Sequence, residues 1–445
     1  MHDKSPLSQQ IMSSSSTNNC LNKTQSPVVQ TTIFGLPRFE WSLALLGLFV
    51  FTFTIVTYFV KLATVGVAIG VLGLFFTSNK LRIPFPVWLY AIFLLWSFLA
   101  SFASAYPEIA REQLIERLKL LVIMIVAVNA LRTAGQLRFY LIFLIGCFIL
   151  FPVRGALVNF FIAGYNVFGR ALWNYIYANP NDLAALCLLA LGVAVAIRMS
   201  TPSRNMVRFG AGTAAVLLLL VILMTQSRGA FLGLTVFLST LFIHSMKRSL
   251  RMAIGLAAVV LVVAVSVPNS VWDRLSGIRK LTSTSTLHEA DLEGSATQRF
   301  EIQKVAWKIF VDHKVFGVGL GAYESANTSY APHLGTRDTH NTYLNLAAEL
   351  GLPGLMIWCA LICSVMLYAH RRQQRADNNE LTDQQRWIWW GFISFLVSGI
   401  FATYSHLTFP IIMLAVLWCS GDILASSESY QTNDEQTIRS RRCAG

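Results

Sequence analysis

Residues 183–197 read LAALCLLALGVAVAI, closed by Asp182 on one side and Arg198 on the other. No charge interrupts the run, and no alternation marks a strand. A block of this kind, at 1.5 Å of helical rise per residue, matches ~30 Å of bilayer hydrocarbon when it reaches about 17–25 residues. It must be a helix, because lipid offers the backbone no hydrogen bonds. Outward from it the same kind of block recurs in both directions. About twelve spans result, at roughly 40–60, 62–77, 84–104, 114–131, 139–160, 181–197, 209–225, 229–245, 252–268, 353–369, 387–404 and 407–424.

Composition agrees with an all-α, polytopic integral membrane protein. Of 445 residues, 55% are hydrophobic and only 13% charged, whereas a soluble chain is charged at about a quarter of its positions. Residues 1–38 are rich in Ser, Thr, Gln and Asn and lack the charged start, apolar core and cleavage site of a signal peptide. They are expected to be a disordered tail. The seven cysteines follow no paired spacing, which argues against a disulfide or zinc framework.

Basic residues orient the spans. Lys80 and Arg82, Arg132 and Arg138, Arg198, Arg204 and Arg208, Lys247, Arg248 and Arg251, and Arg371, Arg372, Arg375 and Arg386 fall in one set of alternate loops. The opposite short loops carry Lys61, Arg111, Arg170 and Arg228 one at a time. Both tails are therefore expected on the cytoplasmic side, with 39–268 forming spans one to nine, 353–424 spans ten to twelve, and 425–445 a second tail. The segment 269–352 faces outward, far longer than any other loop. The net charge of +13 resides in loops between spans, so an anionic lipid or lipid-linked substrate fits it better than nucleic acid.

Within that long loop, Ser295-Ala-Thr-Gln298 has capping-box spacing. The helix after it places Ile302, Val305, Ala306, Ile309 and Phe310 on one face and Glu301, Lys304, Lys308 and Asp312 on the other. Arg299 falls in the first turn, where a helix N-terminus and a cation together suit an anion; a side chain reaching for lipid headgroups is the plainer alternative. Phe316-Gly-Val-Gly-Leu-Gly321 lacks the strand–loop–helix surroundings of a nucleotide loop and reads as a tight crossing between helices. A further helix, capped by Asp338 or Thr339, carries His340 in its first turn and stops at Gly351 and Pro353. A neutral imidazole there can take a proton, or simply bond to a neighbouring loop.

Thr225-Gln-Ser-Arg228-Gly229 is a very short outward turn between two spans. Arginine at that depth is costly unless paired or functional, and its fork can grip phosphate oxygens. Arg154 lies at a similar height. Acidic residues are sparse, no D-x-D pair stands beside these positions, and no metal site is expected.

Together these motifs resemble the O-antigen ligase family of bacterial envelope glycosyltransferases. The resemblance rests on His340-Asn341, nine residues, then Gly351-Leu-Pro-Gly354, with Ser227-Arg228-Gly229, Thr297-Gln298-Arg299, Asp312-His313 and the glycines 317 and 319 as further matching pieces. It covers about 225–355. The resemblance implies a multi-pass protein of the bacterial inner membrane, working at the periplasmic face without metal or cofactor and inverting the transferred sugar. The donor would be a glycan on undecaprenyl diphosphate and the acceptor a sugar hydroxyl of lipid A–core. His340 would be the general base, and Arg228 and Arg299 would hold the diphosphate. Arg154, Arg274 and Asn341 would help bind substrate. An O-antigen polymerase or a protein O-oligosaccharyltransferase would use the same donor. A transporter or lipid flippase also suits twelve spans, but the chain shows no internal repeat and its polar residues gather at one edge.

Overall fold

The computed structural model describes residues 41–58, 62–77, 80–200, 206–265, 295–376 and 380–443, of which 295–297 and 427–443 as backbone only, all within one compact unit, Phe39–Gly445. The tail 1–38 and the segment 266–294, with Arg274, lie outside the described residues. Among the described residues the chain is helical, with no strand beyond an isolated bridge between Val167 and Arg170. In order the helices are α1 Leu43–Thr57, α2 Ala63–Phe75, α3 Phe85–Ala103, α4 Pro107–Ala130, α5 Ala134–Phe161, α6 Pro180–Met199 and α7 Met206–Met224. Then follow α8 Arg228–Arg248, α9 Leu250–Val265, α10 Ser295–Asp312, α11 Tyr323–Tyr330, α12 Thr342–Arg375, α13 Glu380–Ser398 and α14 Phe409–Cys443.

Seven of these are long and apolar enough to cross a membrane: α3, α5, α6, α7, α8, α12 and α14 over Phe409–Ser426. The other five expected spans are also helical. However, α1, α2 and α9 are short, at 15, 13 and 16 residues. Helix α4 carries Glu116, Arg117 and Lys119 within the expected span, and α13 opens with Glu380, Asp383 and Arg386. Among the described residues, length and composition by themselves single out seven of the twelve expected spans.

Helix α6, the block that opened the sequence reading, is the hub. Its apolar window is 89% buried, leaving almost no side for lipid, and it packs against α5, α7, α8 and α13. Where α6 crosses α13 the backbones nearly touch: a Cβ on Gly192 would lie 2.7 Å from the Cα of Gly391. Only small residues permit such an approach.

The two ends of the bundle differ in chemistry. At one, Arg82 pairs with Asp422 at 2.6 Å, Arg138 approaches Glu380 at 3.7 Å, and Arg248 and Arg386 each hold Asp383 at 2.6 Å. The loops read as basic thus meet in ion pairs on α13 and α14.

At the other end α12 is broken. Gly351 has φ +67°, outside any helix, and Pro353 follows without an amide to donate. The carbonyls left over are taken by other segments. Ala348 O accepts from Val318 N at 3.0 Å, Glu349 O from Gly319 N at 2.8 Å, and Leu350 O from Trp96 Nε1 at 2.9 Å. The glycine-rich turn is therefore a backbone splint beside the kink. Gly317 has φ +69°, and a Cβ there would meet Glu349 O at 2.2 Å. A Cβ on Gly351 would meet Val315 O at 2.1 Å. Gly351→Ala is accordingly expected to lower the thermal unfolding midpoint in detergent clearly. The left-handed φ alone costs about 1–3 kcal/mol, and the backbone clash adds to it; an unchanged midpoint would mean that the kink can relax.

Residues 295–335 make a second small core at this end. Ile302, Ala306 and Ile309 of α10 pack on Val318, Tyr323, Ala326 and Ala348, while Glu301, Lys304, Lys308 and Asp312 face outward. This core fixes α10 against the first, pre-kink part of α12.

Candidate functional site

Three loops meet where α6 and α8 begin and α13 ends. The first is the turn between α7 and α8. Thr225 ends α7 by donating its hydroxyl to Ile222 O at 2.6 Å, Gln226 takes a left-handed φ of 52°, and Ser227 starts α8. Arg228 is the first helical residue, at the positive end of a 21-residue helix. Gly229 follows at close quarters, since a Cβ there would meet Phe401 Cβ at 2.9 Å and Ser398 O at 3.0 Å. This approach brings Phe401 beside Arg228.

The second is the connection from α5 to α6. It folds back onto the first turn through Ala171 N to Met224 O at 2.9 Å and Gln226 Nε2 to Gly169 O at 2.8 Å. Arg170 Nε donates to Thr225 O and its Nη2 to Asn181 Oδ1, both at 2.8 Å. Its guanidinium is thus fixed by two acceptors before any ligand arrives. The third is the first turn of α10, which supplies Arg299.

These pieces surround a small polar depression lined by Arg170, Asn181, Gln226, Arg228, Gly229, Arg299 and Phe401. Arg228 and Arg299, singled out separately in the sequence, share it. Arg170 joins them, although no motif marked it. Three guanidiniums around one depression concentrate positive charge in a geometry that suits phosphate-type oxygens.

His340 lies within electrostatic reach of Arg299, one of the residues lining this depression. It precedes α12 rather than lying in it, since the helix begins at Thr342 and its cap is Asn341, not Asp338 or Thr339. The side-chain oxygen of Asn341 accepts from Tyr343 N and Leu344 N, both at 3.0 Å, so Asn341 is first of all an N-cap. His340 itself has a left-handed φ of 53°. That conformation is held by bonds to the loop between α13 and α14. Thr339 Oγ1 and Thr403 Oγ1 lie 2.6 Å apart, Thr342 N donates to Gly399 O at 2.9 Å, and Asn345 Nδ2 donates to Ser405 Oγ at 3.1 Å. Strain of this kind, held by its surroundings, is common where a side chain must be aimed.

Burial pushes the His340 imidazole below the ordinary histidine value, Arg299 and Arg337 push it further, and Asp338 opposes them. The ring is thereby kept neutral beside the arginines. A second imidazole lies on the neighbouring loop, where His406 Nε2 meets Asp182 Oδ2 at 3.4 Å. Asp182 is next in sequence to the pocket residue Asn181, a juxtaposition that no local spacing could announce.

Arg154 is not brought in. It follows the π-helical turn Ile149–Val153, which forms at Pro152 in α5, and it is exposed and outside the lining. Arg274 lies outside the described residues. Among the described residues no group of three or more His, Cys, Asp or Glu is arranged to hold a metal ion.

A family model described as O-antigen ligase matches residues 213–359, from α7 into the second half of α12, and that stretch contains Arg228, Arg299, His340 and the kink at Gly351. Arg170, Asn181 and the loop between α13 and α14 lie outside it. No curated protein matches the chain.

Proposed function

We propose that this chain is a membrane glycosyltransferase of the O-antigen ligase type. It transfers a glycan from undecaprenyl diphosphate to a sugar hydroxyl of lipid A–core, at the periplasmic face of a bacterial inner membrane, with both termini in the cytoplasm. The observation that carries this reading is the shared pocket of Arg170, Arg228 and Arg299, with His340 within electrostatic reach of Arg299. The matched O-antigen ligase family supports the substrate class.

The reaction is a single displacement. The acceptor hydroxyl gives its proton to His340 and forms a bond to the anomeric carbon, while the bond from that carbon to the diphosphate oxygen breaks. Attack opposite to the leaving group inverts the anomeric centre. Negative charge grows on the departing undecaprenyl diphosphate, where the three guanidiniums meet it. Fixed cations aimed at charge that develops late stabilise the transition state more than the bound substrate. No metal is needed to neutralise the leaving group. Holding both lipid-anchored reactants in one plane lowers the entropic cost of their encounter.

The test uses protein in nanodiscs with an undecaprenyl-diphosphate-linked glycan and a lipid A–core acceptor, with and without chelator. Glycan appearing on the core despite chelator supports the reading. Glycan lengthening on the undecaprenyl carrier would replace it with a polymerase. No transfer by well-folded protein would favour a transporter.

The pH dependence has a definite sign. A base must be neutral to act, so kcat/KM should hold steady as pH falls through 6.5 and drop only below it, because His340 titrates below the ordinary histidine value. A pH–rate profile whose acid limb sits above 6.5 would assign the base elsewhere.

A further inference from the structure

The pocket and His340 account for the donor and the base, but not for how the acceptor sugar is held. The loop between α13 and α14 offers an answer. Residues 402–405 are buried and spent on structure: Thr403 bonds Thr339, Tyr404 OH meets Ser398 Oγ at 2.9 Å and donates to Asn181 O at 3.3 Å, and Ser405 accepts from Asn345. His406 breaks the series, with 48% of its side chain exposed. Its partner Asp182 is the reverse, a carboxylate only 8% exposed. Here a buried acid grips one edge of an imidazole whose other edge opens outward. Among the described residues Nε2 is engaged by Asp182, and Nδ1 has no protein partner.

The position is equally telling. Through Thr403 and Ser405 the loop is tied to the segment that carries His340, and through Tyr404 and His406 it is tied to Asn181 and Asp182 at the start of α6. Asp338, two residues before His340, acts electrostatically on both imidazoles, and Glu324 of α11 acts with it on the His406 side.

We propose that His406, fixed by Asp182, is an acceptor-positioning residue, hydrogen-bonding a sugar hydroxyl adjacent to the one that attacks. Sugar diols are recognised by paired groups of this kind, one imidazole edge and one or two carboxylate oxygens, set side by side. The two imidazoles then divide the work. His340 takes the proton of the attacking hydroxyl, and His406 fixes the ring that bears it. The proposal rests on the glycosyl-transfer reading above.

The experiment measures two things on full-length protein in nanodiscs. One is binding of a core oligosaccharide released from lipopolysaccharide, by titration calorimetry without donor. The other is turnover with donor and acceptor varied separately. His406→Gln should weaken oligosaccharide binding and raise acceptor KM by about 10- to 100-fold, the loss of one charge-assisted bond, with donor KM unchanged. Asp182→Asn should give the same pattern to a smaller degree, since the amide still orients the ring. Equal binding and equal acceptor KM in wild type and both variants would overturn the proposal, as would a fall in kcat alone. The two readings separate cleanly. Oligosaccharide binding lost in His406→Gln, in a protein that transfers nothing, would keep the subsite and remove the reaction. Transfer to core with unaltered acceptor KM would keep the reaction and remove the subsite.

Discussion

Replacing His340 with alanine should cut glycan transfer by about 10²- to 10⁴-fold, the usual worth of a positioned general base. Acceptor and donor binding should change little, because the lost interaction is a proton transfer made only in the transition state. The backbone at this position sharpens the test. With φ at 53°, His340 occupies a region where alanine is disfavoured but asparagine is at ease. His340→Asn is therefore the companion variant, keeping the left-handed backbone and a polar side chain but offering no base of suitable strength. Loss of turnover in both, with unchanged melting in His340→Asn, would assign the effect to chemistry. Retained activity in His340→Asn would leave the imidazole an orienting role at most.

The arginines carry the second large effect. Arg228→Ala and Arg299→Ala should each lower kcat/KM by about 10²- to 10³-fold, the cost of removing one donor aimed at developing charge. Lysine should rescue only part, because a point charge cannot reproduce two parallel bonds to phosphate oxygens. Since both side chains line one depression, the double variant should lose less than the sum of the single losses in free energy. Strict additivity would mean that the two guanidiniums act on different groups. Arg170→Ala has a different character. Its guanidinium already binds Thr225 O and Asn181 Oδ1, so its loss should loosen the α7–α8 turn as well as weaken donor binding, and it should show in KM for the donor first.

How much of this was legible beforehand follows from the range of each signal. Apolar blocks announce helices, and all the expected spans are helical among the described residues, because the signal is local and repeated. Seven of them also have the length and composition of a full crossing, while α1, α2 and α9 are shorter over the described residues. The buried stripe of α10 was readable from its period, as was the break at Gly351 and Pro353. Arg228 and Arg299 were readable because each sits at a helix start in a recognisable motif. Arg170 was not. It looked like one of several solitary loop cations, and its place in the pocket depends on a chain reversal fixed by Ala171 N and Met224 O. Asn341 was readable as part of a motif, but not that its side-chain oxygen caps α12. Asp182 and His406 were invisible, being 224 positions apart with nothing in either neighbourhood to single them out.

The interrupted helix at Gly351 bears on biogenesis. A span whose backbone bonds are all internal is complete as soon as it enters lipid. Helix α12 is not complete in that sense. The carbonyl of Leu350 waits for an indole 254 positions earlier, and those of Ala348 and Glu349 wait for the glycine-rich turn. Its first turns therefore settle only after an early span and a docked loop have both arrived, and this junction should be among the last parts of the newly made chain to resist a protease.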